Sequence, residues 1–163
     1  MRKAESKIKS REELQLLLDG AKRHGKRIVF ANGCFDMLHV GHVRYLSDAK
    51  KQGDILVVGV NSDSSAGRLK GPGRPILDEH ARAELVAALR DVDYVVLFEE
   101  LNVQKLLEDL RPDVHAKGTD YTLESVPERA AADRLGIRVA IVGDPKDHST
   151  RALLESIRKA PHG

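Results

Sequence analysis

His39 and His42 stand three residues apart in the stretch NGCFDMLHVGH, residues 32–42, with Gly41 between them and Gly33 upstream. Side chains three apart on the first turn of a helix lie on one side of it. Both imidazoles can then converge on one point above the helix N-terminus, where free N–H groups and the dipole already favour an anion. The two glycines let the backbone come close to a ligand or a neighbouring helix. Imidazole N–H groups aimed at oxygens that gain charge suit phosphoryl or nucleotidyl transfer. The pair is also open to plainer readings: a helix cap beside a solvated side chain, or half of a metal site. No neighbouring Cys or third ligand completes a zinc site.

Such a pair needs a strand that ends before it and a helix that starts on it. RIVFAN (27–32), DILVVGV (54–60), YVVLF (94–98), VHAK (114–117) and IRVAIVG (137–143) read as buried strands. SREELQLLLDGAKRHG (10–25) reads as a helix with Ser10 and Glu13 as a capping box and Gly25 as its stop. VRYLSDAKKQG (43–53), EHARAELVAALRD (79–91), NVQKLLEDL (102–110) and PERAAADRLG (127–136) follow as helices; STRALLESIRKA (149–160) closes the chain as another, capped by Ser149 or Thr150. Continuous apolar strands alternating with helices predict an α/β fold, a Rossmann-like doubly wound parallel sheet of about five strands with helices on both faces. Ligands in such sheets bind at the carboxyl ends of the strands, at the switch point of strand order. NSDSSAGRLKGPGRPILD (61–78) shows no clear period and reads as a long basic loop carrying Arg68, Lys70 and Arg74 over that edge.

The 163 residues suit a single domain over 1–163, with residues 1–25 as a helical extension packed on it. Apolar residues make up 41% and charged residues 32%, the balance of a globular protein. A net charge of +2 points to neither nucleic acid nor membrane as a partner. Cys34 is the only cysteine, so the chain can form no internal disulfide, which fits a reducing compartment. It reads as a small packing residue. MRKAESKIKSREE lacks the apolar region of a secretory signal, and no run reaches membrane-spanning length. The expected location is the cytoplasm.

H-V-G-H after a strand resembles the H-x-G-H signature of the nucleotidyltransferase superfamily, which includes cytidylyltransferases, pantetheine-phosphate adenylyltransferase and the class I aminoacyl-tRNA synthetases. FANGCFDMLHVGHVRYLSDAKKQGD, VNSDSSAGRLKGPGRPI, LRDVDYVVLFEE, RPDVHAKGTDY and HSTRALLESI, in that order, are similar to the adenylyltransferases of ADP-heptose synthesis. The similarity runs from about residue 8 to about residue 158. In many bacteria that activity is half of a bifunctional kinase–adenylyltransferase; the expectation here is a stand-alone domain. The resemblance implies transfer of AMP from ATP to D-glycero-β-D-manno-heptose 1-phosphate, with Mg²⁺ travelling with the ATP and a homodimer as the assembly. It places His39 and His42 on the triphosphate and the transition state, and Lys70 on the phosphates with Arg68 as its helper or a surface charge. Arg74 matches a family Arg-Pro pair, and Arg82 an arginine that can face the phosphates; their plain alternatives are a solvated loop charge and a helix charge paired with Asp78. Lys117, Gly118 and Asp120 match a K-G-G-D-Y motif beside the nucleotide, and Ser149 and Thr150 an S-T-T triphosphate turn. Asn32, Gly33 and Phe35 would offer backbone near the nucleotide. Asp36 is open between capping the turn and helping to hold the metal; no residue is assigned as a metal ligand outright.

Three positions depart from the pattern. Arg151 follows Ser149 and Thr150 where a second threonine is usual, His115 stands at an apolar strand position, and Thr119 replaces a glycine. They bear on substrate identity more than on fold or reaction class. Two other readings stay open: a cytidylyltransferase acting on glycerol 3-phosphate or a similar alcohol phosphate, and a nucleotide-binding module without turnover.

Overall fold

A computed structural model describes residues 3–145 and 147–161; residues 1 and 2 of the expected extension lie outside the described residues. Five strands, β1 (Ile28–Gly33), β2 (Ile55–Asn61), β3 (Tyr94–Phe98), β4 (Val114–Lys117) and β5 (Arg138–Ile141), form one parallel sheet in the order β3-β2-β1-β4-β5. The chain moves outward from β1 to β3 and then returns to lay β4 on the other side of β1. The switch point is therefore the gap between the carboxyl ends of β1 and β4.

Alternate strand residues face opposite ways and fill two cores. Val29, Ala31, Leu56, Val58, Val60, Val95 and Val114 pack under α2 (Val40–Lys50) and α4 (Glu79–Ala87), which contribute Leu46, Ala49, Ala83 and Val86. Ile28, Phe30, Val57, Val96 and Phe98 pack under α1 (Arg11–Arg23), α5 (Gln104–Leu110) and α6 (Arg129–Leu135), through Leu14, Leu18, Leu106, Leu107 and Ala132. Burial on both faces is why these strands carry no polar alternation. The doubly wound α/β fold expected from the apolar runs is the one observed.

Ser10 and Glu13 form the expected capping box of α1. A short 3₁₀ helix, Ala4–Lys7, precedes it, and Lys9 N–H donates to Val95 O, so the chain start bridges to the edge strand β3. The segment 61–78 is not all loop. Asp63–Lys70 forms α3, with Ser62 Oγ accepting from Ser65 N–H and Gly71 ending it at φ 93°. This helix is eight residues long and buries only Ser65 and Ala66, too little to write an apolar period into the sequence. Helix α7 (Thr150–Lys159) begins at the predicted cap, Ser149, whose hydroxyl accepts from Ala152 N–H. No helix among the described residues is long and apolar enough to cross a membrane.

Candidate active site

β1 delivers the chain to the switch point, and the next six residues must turn it into α2. Phe35 and Met37 take left-handed backbone conformations there, at φ 49° and 62°, which are costly for residues with a Cβ. Asp36, buried between them, holds the turn. Its carboxylate accepts from Arg74 Nε at 2.7 Å and from the N–H groups of Ile76 and Leu77, and its carbonyl accepts from Thr150 Oγ1 at 2.8 Å. One residue thus ties the loop after α3 and the start of α7 to the end of β1. Burial pushes the Asp36 carboxyl up, but the two N–H groups and Arg74 outweigh it and leave the group below its ordinary value. Both Asp36 oxygens are engaged inside the protein, which favours the capping alternative over the metal one.

The first turn of α2 is capped by imidazoles. His39 sits in extended backbone, and its Nδ1 accepts from Gly41 N–H at 3.1 Å; His42 Nδ1 accepts from His39 N–H at 3.3 Å. The rings stack with centroids 3.9 Å apart. A Cβ on Gly41 would fall 2.9 Å from the His39 ring, so the glycine of H-V-G-H is the space into which that ring folds. With Nδ1 accepting, the neutral form of each ring carries its proton on Nε2. Tyr45, one turn on, donates from Oη to Ala116 O at 2.7 Å and fastens this helix to β4.

These residues line one cleft of about 870 Å³ across the switch point. On its cationic side lie His39, His42, Lys70, Arg74 and Arg151, with Ser149 and Thr150. Lys70 is the exposed last residue of α3. The Ser149 and Thr150 hydroxyls are used within the protein, in the α7 cap and the tether to Asp36. Asn32, Gly33, Phe35, Lys117, Gly118 and Asp120 also line the cleft. A Cβ at Gly33 would crowd the Phe35 ring at 3.1 Å.

Expectations change for Arg82 and Cys34, and Arg68 takes the second of its two readings, an exposed surface charge. Arg82 neither faces the cleft nor pairs with Asp78 at the surface: it is 0% exposed and absent from the cleft lining. Its guanidinium donates to Leu77 O, Cys34 O and Asn61 O and pairs with Asp63 at 2.8 Å, binding the ends of β1 and β2 to the start of α4. Arg68 bonds Glu99 O, outside the main cleft. Cys34 is only partly buried and lines the cleft, where burial pushes its thiol up.

The sequence reading did not reach Glu128. This cleft residue is 7% exposed, its Oε2 has no hydrogen-bond partner, and it lies 3.9 Å from Lys117 Nζ. In PERAAADRLG it looks like any first-turn acid, and nothing in the pattern separates it from one. Lys117 also lies over the Tyr121 ring, 4.5 Å from its centroid, and burial lowers its ammonium pKa.

His115 is fully buried on β4, and burial together with the Lys117 charge pushes it down to about 3. The unfolded chain takes up a proton at this ring near 6.5, the folded chain only near 3. Between those values the unfolded state holds more protons, so stability falls as the pH drops. The expected contribution is about 1.4 kcal/mol per pH unit through that window. Denaturation midpoints of wild type and His115→Leu, compared at neutral and acid pH, should move apart on acidification, with the wild type falling further; a constant difference would mean the ring does not titrate this way.

A parallel sheet ordered 3-2-1-4-5 with a glycine-spaced histidine pair capping the helix after β1 is the architecture of a nucleotidyltransferase. The cytidylyltransferase-like family model matches residues 30–155, and the chain belongs to that family. It is 48% identical over 153 residues to the bifunctional protein HldE of Syntrophotalea carbinolica, covering 94% of this chain and 31% of that one. The HldE of Pelobacter propionicus is 48% identical over 154 residues, covering 94% and 32%. The chain thus spans about a third of the length of these curated relatives. Among solved structures, the lipopolysaccharide core biosynthesis protein from Thermoplasma volcanium GSS1 matches with a TM-score of 0.62 and 38% identity, over 72% of this chain and 95% of that one.

Proposed function

We propose that this chain transfers AMP from ATP to the phosphate of D-glycero-β-D-manno-heptose 1-phosphate, giving ADP-heptose and pyrophosphate. The observation that carries the reading is the stacked pair His39 and His42, with Nδ1 of each ring accepting from the backbone and the rings lining a cleft with Lys70, Arg74 and Arg151. The similarity to HldE proteins and to a lipopolysaccharide core biosynthesis protein supports the choice of substrates.

An oxygen of the sugar phosphate attacks the α-phosphorus in line. The bond from that phosphorus to the bridging oxygen breaks, and pyrophosphate leaves with the bond's electrons. The nucleophile is already an anion, so the reaction asks for positioning and charge stabilisation more than for a base. His39 and His42 donate to oxygens of the triphosphate as charge builds. Lys70 and Arg74 neutralise phosphate charge, and the N-terminus of α7 at Ser149 and Thr150 offers backbone N–H groups. Gly33, Phe35, Lys117, Gly118 and Asp120 shape the nucleotide side; Arg82 holds the walls instead of the substrate. Mg²⁺ enters this scheme with the substrate, as MgATP, since it is held largely by phosphate oxygens and water. The reading carries a cytoplasmic location, where ATP is supplied. It also carries a homodimer, for which α7 supports a surface: it buries none of its residues and exposes Leu153 and Ile157.

The test is a matrix of ATP and CTP against heptose 1-phosphate and glycerol 3-phosphate, scored by kcat/KM through pyrophosphate release. ATP with heptose 1-phosphate is expected to lead clearly, because groups placed for sugar hydroxyls are left unpaired by a smaller acceptor. Preference for CTP with glycerol 3-phosphate would leave only the reaction class standing. Nucleotide binding without pyrophosphate release from any pair would make the chain a binding module.

A further inference from the structure

His115 is a fully buried imidazole on β4, between the buried Val114 and Ala116. It pairs in register with Phe30 of β1, and the two rings tilt together with centroids 5.7 Å apart. A leucine would fill such a position at less cost than a polar ring. The ring makes a single polar contact, Nε2 to Asn32 Oδ1 at 3.0 Å; its Nδ1 is buried with no partner.

That asymmetry decides which way the contact runs. The neutral ring holds one proton. On Nδ1, the proton would make a buried N–H donor with nothing to bond, and Nε2 would have to accept. On Nε2, it bonds Asn32 Oδ1, and only a lone pair is left alone on Nδ1. An orphaned donor is the rarer and more expensive outcome. So Nε2–H donates and Asn32 Oδ1 accepts. With its oxygen held, the Asn32 amide has its NH₂ group on the far side of the contact. Asn32 itself lines the cleft at the end of β1. The strand pleat puts Asn32, His115 and Lys117 on the same face of the sheet, opposite the face covered by α2.

We propose that His115 is a positioning residue: it locks the Asn32 side chain so that the amide NH₂ donates to an acceptor atom of the bound substrate. This rests on the adenylyltransfer reading and deepens it, because the Asn32 side chain, and not only its backbone, becomes part of substrate recognition. The acceptor atom belongs either to the nucleotide or to the sugar phosphate, and the two are separated by experiment.

The variants are His115→Leu, His115→Gln, Asn32→Ala and the double variant Asn32→Ala with His115→Leu. Three quantities are measured on each: the Kd of ATP by calorimetry, the KM of the sugar phosphate, and Tm at neutral pH. His115→Leu is expected to weaken one of the two substrates roughly 3- to 10-fold, the scale of one neutral hydrogen bond, without a lower Tm. Asn32→Ala should weaken the same substrate, and the double variant should be no worse than Asn32→Ala alone. Glutamine reaches about as far as imidazole Nε2 and can donate, so His115→Gln should restore binding. A shift in Kd for ATP assigns the contact to the nucleotide; a shift in the KM of the acceptor assigns it to the sugar phosphate. Unchanged values for both substrates in His115→Leu, or losses that multiply in the double variant, would overturn the proposal. If wild type binds ATP but releases no pyrophosphate, the adenylyltransfer reading fails, while the calorimetric arm still judges the His115–Asn32 coupling.

Discussion

Replacing His42 by Ala is expected to lower kcat by roughly 100-fold or more, with the fold retained. The ring stacks on His39 at 3.9 Å and lines the cleft beside Lys70 and Arg74, where the reaction concentrates negative charge. A donor aimed at developing charge acts on kcat more than on substrate affinity. The same substitution removes Nδ1 as an acceptor for His39 N–H, and a lost cap costs about 1 kcal/mol, which a domain of this size survives. His39 allows a cleaner separation. Asparagine is a good N-cap, so His39→Asn keeps an acceptor for the first turn while deleting the imidazole. It should melt close to wild type and still lose most of its turnover. The measurements are kcat from pyrophosphate release and Tm by circular dichroism. A folded His42→Ala protein with near-normal turnover would sink the role given to the pair.

The largest loss of stability is expected at Arg82. Arg82→Met removes a guanidinium that no water reaches, and leaves the carbonyls of Leu77, Cys34 and Asn61 and the Asp63 carboxylate without their donor. Leaving three carbonyls without a donor and the half-exposed Asp63 carboxylate without its partner costs on the order of 2–4 kcal/mol. Lysine should not rescue it. A single ammonium cannot match a planar fork that meets four acceptors, and a Lys at this depth is driven toward its neutral form. Urea denaturation of Arg82→Met and Arg82→Lys measures both. A loss below about 1 kcal/mol would mean that the network contributes little.

Arg82 also shows where sequence reading stops. In EHARAELVAALRD it stands between two alanines, and an arginine there reads as a surface charge or a ligand contact. Beyond the nearby Leu77 carbonyl, its partners are the carbonyls of Cys34 and Asn61 at the ends of two distant strands and Asp63 at the start of α3, which a local pattern cannot bring together. The strands were legible for the opposite reason: burial on both faces makes most of them continuous apolar runs, so YVVLF could be bounded to the residue. The histidine pair could be placed at a helix start because strand, glycine and helix follow one another in the chain. A helix cap was one of the readings open for the pair; that both imidazoles cap it could not be decided, since Ser, Thr, Asp and Asn are the residues that signal a cap. Asp36 was ambiguous until its three donors were visible, all of which come from 38 to 41 residues downstream.

The imidazole cap has a consequence for how these rings can be used. On each ring Nδ1 is given to architecture, and the proposed reaction uses Nε2. A second proton would have to land on Nδ1, where the lone pair is already spent on a backbone N–H. A ring that gains full charge must therefore let go of the helix. In the proposed reaction, rings fixed this way are suited to donate from Nε2 and not to pass protons through Nδ1.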